Sequence, residues 1–181
     1  MELNKVDADA TYKAFLSMLE TINILDYASY KQELISSYVP LDEDPTAGSL
    51  SSLNVKIAKI DALKTRMGYI LNEAIENEAN LDKVKKSFNT EFSICKATLG
   101  MQEKIMILKS QGMRDSAILL ELLQLNELEL IIEGKVADAK TFTKRVQNVF
   151  NSLDSTNKNI SRQLTTIQTM VEIGEISRPQ N

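Results

Sequence analysis

Residues 139–171 read AKTFTKRVQNVFNSLDSTNKNISRQLTTIQTMV, and the spacing of their apolar side chains decides the fold class. Ala139, Phe142, Val146, Val149, Leu153, Thr156, Ile160, Leu164, Ile167 and Val171 follow one another at steps of three or four, with no glycine or proline between them. A helix turns once in about 3.6 residues, so these steps keep the whole series on one side. A heptad-like seam of this length asks for a helix to face it. Phe142, Val146, Val149, Leu153, Ile160, Leu164, Ile167 and Val171 are therefore the expected contacts to a partner subunit or partner protein. Gly174 and Pro179 close the segment, which gives a coiled-coil-like helix over 135–173 and a tail over 174–181.

The same period appears upstream. Leu53, Ile57, Ile60, Leu63, Met67, Leu71 and Ala74 step by three or four, and the series continues through Leu81, Val84, Phe88, Phe92, Cys95 and Leu99. Two readings of 50–99 compete: one helix of roughly 73 Å, at about 1.5 Å per residue, or a helical hairpin turning at the polar stretch Asn77–Asn80. Uncapped helices longer than about 25 residues are less common outside coiled coils, which favours the hairpin. Gly100 is placed to end the element, and Ser110–Gly112 is a further break.

An apolar helix is expected within 101–133. Between Ala117 and Ile132 the leucines and isoleucines fall on nearly every side, so the helix must be surrounded, by its own chain or by other subunits. Glu121, Gln124, Asn126, Glu127 and Glu129 interrupt the run, which excludes a membrane span. Gly134 is a point of interruption. At the other end, Tyr12, Phe15, Leu16, Leu19, Ile22, Leu25 and Ala28 mark an N-terminal helical region over 1–39, starting near Asp9 or Thr11 and weakest at Asp26–Ser29. Pro40 and Pro45 bracket a loop over 40–49. The expected whole is a single all-α domain over 1–181: an elongated multi-helix bundle with long coiled-coil-like helices.

Composition agrees with that class. Six Gly and three Pro in 181 residues cannot supply the tight turns of a many-stranded sheet. Histidine is absent, which removes the commonest general base and the commonest metal ligand. No glycine-rich phosphate loop, dinucleotide fingerprint or pair of cysteine ligands occurs. Acid pairs one turn apart, such as Glu129 with Glu133, read as solvated helix faces. The lone Cys95 falls on an apolar face and reads as a small core residue. Residues Met1–Ala10 carry three acids and no apolar core, unlike a secretory signal. The expectation is a non-enzymatic cytoplasmic protein with no cofactor, no metal, no small-molecule substrate and no membrane association.

Charge is uneven along the chain. The net charge is −4, but residues 1–50 carry three Lys against nine acids, and residues 51–115 carry eleven Lys or Arg against eight. The middle third alone offers a favourable field to an anion, and Lys56, Lys59, Lys64, Arg66, Lys83, Lys85 and Lys86 are the candidate nucleic-acid contacts there. Leu108-Lys109-Ser110-Gln111-Gly112-Met113 and Ala62-Leu63-Lys64-Thr65-Arg66 resemble short pieces of the recombination mediator of T4-like phages, a helical ring-former that loads recombinase onto single-stranded DNA. The resemblance covers these eleven residues. The paired tyrosines that the mediator carries after the first piece are missing here, and the acidic first fifty residues and the C-terminal seam have no counterpart.

The leading expectation is a structural or assembly protein that acts by helix-mediated self-association or by docking into a larger complex. Its profile resembles that of small phage virion and assembly factors, an analogy of architecture alone. In that case it would act in the host cytoplasm or the virion. The alternatives are a phage-type DNA-handling protein, as recombination mediator or ring-forming packaging subunit, and a helical chaperone or adaptor.

Overall fold

The structure is a computed structural model and describes residues 8–22, 25, 27–40 and 49–174. Most of the 40–49 loop and of the 174–181 tail lies outside the described residues. Among the described residues helix is the only regular secondary structure. The order is α1 (Ala8–Thr21), α2 (Tyr27–Ser36), α3 (Leu50–Gly100), α4 (Glu103–Met106), α5 (Gln111–Glu121) and α6 (Leu123–Glu172).

Residues 50–100 form one helix, so the hairpin reading is corrected. Its buried positions pass through the polar stretch without losing phase: Ile70, Leu71, Ala74, Asn77 and Leu81 are all buried. With no glycine or proline between Ile70 and Leu81 to break the backbone, a polar residue at a core position costs less than interrupting the stripe. Ser49 caps α3, its Oγ accepting from the Ser52 amide at 3.1 Å. Gly174, at φ +80, ends α6 in the left-handed conformation that glycine adopts without strain.

The chain divides into two compact units, and α3 and α6 each give one segment to each. Unit 1 comprises residues 1–25 and 75–141. Its core gathers Phe15 and Leu19 of α1, Leu81, Phe88, Phe92 and Cys95 of α3, and Leu125, Leu128, Ile132, Val136 and Ala139 of α6. Phe15 meets Phe88 edge to face, with ring centroids 5.3 Å apart. Lys85 and Glu133 pair across α3 and α6 at 2.8 Å. Ser110 caps α5, accepting from the Met113 amide at 3.3 Å.

The apolar stretch 117–132 is two helices. Leu122, at φ −109 and ψ 20, leaves the helical region between α5 and α6. The Asn126 amide braces this break, donating to the Leu122 carbonyl at 3.0 Å and to the Leu119 carbonyl at 3.4 Å. A side chain that satisfies carbonyls at a helix end makes the break tolerable without a glycine. At Gly134, where an interruption was expected, α6 runs on unbroken.

Unit 2 comprises residues 26–74 and 142–181. Buried here are Leu34 and Val39, Leu53, Ile60, Met67, Ile70, Leu71 and Ala74 of α3, and Phe142, Val146, Leu153, Ile160 and Ile167 of α6. Lys64 pairs with Asp154 at 2.7 Å, and Asn157 Nδ2 donates to Asp61 Oδ1 at 3.1 Å. A Cβ on Gly68 would lie 3.8 Å from the Phe150 ring, so the two helices approach closely there. Arg66 forks onto Glu33, donating at 2.5 and 3.2 Å, and so ties α2 to α3.

Candidate docking face

The C-terminal seam meets its partner inside the chain. Phe142, Val146, Leu153, Ile160 and Ile167 are buried, and Val149, Leu164 and Val171 are half-buried. In unit 2 the helix facing them is α3, whose own stripe from Leu53 to Ala74 has the same period. The expected intermolecular seam is therefore occupied by intramolecular packing. A heptad pattern specifies that a helix is faced, but it does not say whose helix does so.

The stretch that reads as apolar all round behaves in the opposite way. Leu122, Leu125, Leu128 and Ile132 fill the core of unit 1, while Leu119, Leu120, Leu123, Leu130 and Ile131 stay exposed. On α6 the exposed set lies opposite the buried one: Leu123, Glu127, Leu130 and Gly134 follow at four, three and four, with Ile131 at the edge. Leu123 is 51%, Leu130 69% and Ile131 47% exposed. Single exposed apolar residues are ordinary, but several on one helix face mark a contact surface. The chain's own neighbours thus leave uncovered part of the surface that the sequence says must be surrounded.

Gly134 belongs to the same face. A Cβ there would meet nothing within 4 Å, so no packing among the described residues calls for glycine at that position. A glycine inside an exposed helix costs about 1 kcal/mol relative to alanine. Without a Cβ, the backbone at such a position is open to close approach by another chain. The expected break at Gly134 is absent, and its phase with Leu123 and Leu130 places it on the exposed side of α6.

Three of the seven basic candidates hold carboxylates within the chain. Lys64 is held by Asp154, Arg66 by Glu33 and Lys85 by Glu133. The Glu33 contact raises the guanidinium pKa of Arg66, and the Glu133 contact raises the ammonium pKa of Lys85. Lys59, Lys83 and Lys86 are exposed, and Lys56 is half-exposed. Lys56, Lys59, Lys64 and Arg66 fall in unit 2, and Lys83, Lys85 and Lys86 in unit 1.

Unit 1 also holds a cavity of about 600 Å³ lined by Asp9, Cys95, Thr98, Gln102, Lys104 and Glu121, among others. Its chemistry is muted. Lys104 and Glu121 neutralise each other at 2.6 Å. Burial pushes the Cys95 thiol up, against a smaller opposing effect of the Thr11 side chain, away from the thiolate that a nucleophile needs. Among the described residues no three His, Cys, Asp or Glu side chains gather as a metal site, and no helix is long and apolar enough to cross a membrane. Comparison of the chain with protein families, curated proteins and solved structures found no match.

Proposed function

We propose that this chain is a non-enzymatic assembly protein that works by presenting a helical face to another protein. The supporting observation is the outer face of α6 in unit 1, where Leu123, Leu130 and Ile131 stand exposed beside a glycine that no other described residue packs against. Apolar side chains grouped in this way favour removal from water, at roughly 25 cal/mol per Å² covered. The docking surface is thus moved from the C-terminal seam to the first turns of α6. The nucleic-acid alternative draws less support, because three of its seven candidate cations already hold carboxylates within the chain.

The test is the native mass of the chain in extracts of the cells that produce it. The reading expects the chain in a complex well above its own 20.3 kDa, and the Leu123→Ser/Leu130→Ser variant as a free chain. A wild-type chain that migrates free in those extracts would refute the reading.

A further inference from the structure

The geometry points to the outer face of α6, from Leu123 to Asp138, as a docking site for a basic amphipathic helix of a different protein. This rests on the assembly reading and adds the chemistry of the partner. Leu123, Glu127, Leu130, Gly134 and Asp138 follow at four, three, four and four, opposite the buried stripe of Leu125, Leu128, Ile132 and Val136. The face is about 22 Å long at 1.5 Å per residue, a usual span for a helix laid along another helix. Gly134 gives a low point where an incoming backbone can approach, since nothing among the described residues stands within 4 Å of its missing side chain.

Charge selects the partner. From Ser116 to Asp138 the chain carries four glutamates and one aspartate against a single lysine, the half-buried Lys135. Two of these are already engaged, Glu121 by Lys104 and Glu133 by Lys85. Glu127 and Asp138 are exposed on the docking face itself and have no ion-pair partner among the described residues. A second copy laid parallel on this face would set Glu127 on Glu127 and Asp138 on Asp138. An antiparallel copy centred on Leu130 and Ile131 would set Asp138 on Leu123. Both arrangements oppose like charges or cover a carboxylate with a leucine, which is unfavourable. A helix with an apolar ridge and flanking lysines or arginines meets both the leucines and the carboxylates.

The experiment titrates the full chain with two synthetic helical peptides of one leucine pattern, one flanked by lysines and the other by glutamates. Binding is followed by fluorescence anisotropy, and light scattering gives the mass of the chain alone. The lysine peptide is expected to saturate in the micromolar range and to weaken about threefold or more between about 50 and 300 mM salt. The glutamate peptide is expected to bind at least about tenfold more weakly. Gly134→Leu is expected to weaken the lysine peptide at least about tenfold by filling the low point, while the melting temperature does not fall. Equal binding of the two peptides, no saturation by about 100 μM, or indifference to Gly134→Leu would overturn the proposal. A doubled mass that Gly134→Leu returns to a single chain would assign the face to a second copy. That outcome overturns the basic-helix partner and leaves the assembly reading standing, whereas a free chain in native extracts removes the assembly reading itself.

Discussion

Lys64 Nζ donates to Asp154 Oδ1 at 2.7 Å, joining α3 to α6 in unit 2 between residues ninety positions apart. Lys158, one turn along α6, holds the other oxygen at 2.7 Å. Hydrogen bonds from Lys158 first and Lys64 second hold the Asp154 carboxyl at about 2. In the unfolded chain an aspartate titrates near 3.9. The stabilisation from this depressed value is therefore complete above about pH 4 and lost as pH falls toward about 2. Asp154→Asn is expected to reduce the acid sensitivity of unfolding in that window and to leave the slope near pH 6 unchanged, as thermal melts across pH would record.

Because the seam is internal, changing it should affect stability and leave oligomer mass alone. Ile160 is fully buried, and Ile160→Ala is expected to cost about 2–5 kcal/mol in urea unfolding through the lost burial and the cavity left behind. Tyr69→Ser, at an exposed position of the same unit, is expected to stay within about 0.5 kcal/mol of wild type. Light scattering of the folded Ile160→Ala chain should give the wild-type mass. A lower mass with unchanged stability would return the seam to an intermolecular role.

Single-stranded DNA is expected to bind weakly or not at all at about 50 mM salt, since phosphate contacts need cations free to replace condensed counterions. Lys64, Arg66 and Lys85 already hold carboxylates. A gel shift that weakens steeply with salt and is lost in Lys83→Ala/Lys86→Ala would favour the nucleic-acid role instead.

The all-α class was legible because helical periodicity needs only local sequence, and Leu53–Ala74 and Ala139–Val171 repeat it for many turns. The stop at Gly174 was legible for the same reason, since a helix end rests on neighbours within one turn. What lay beyond reach was the pairing of faces. Val146 and Ile160 read equally well against a second subunit or against α3, since a stripe carries no label for its partner. The continuity of α3 through Asn77 was decided by packing that overrides local propensity. The break at Leu122 depends on the Asn126 side chain reaching back to two carbonyls, which no composition rule anticipates. Within the docking face the residue types were visible, but their exposure was not: Leu128 and Leu130 differ only in which side of α6 they occupy.

Whether a partner covers the outer face of α6 is read from the reactivity of a thiol placed at position 130. The only native cysteine, Cys95, is 1% exposed with its pKa raised by burial, so it should contribute little to alkylation of the folded chain. In the Leu130→Cys chain the introduced thiol is expected to alkylate rapidly when the protein is purified. In native extracts, where its partner covers α6, the rate should fall at least about tenfold, in proportion to the uncovered fraction. Equal rates in the two settings would show that this face is open to solvent in those extracts and that no partner docks there.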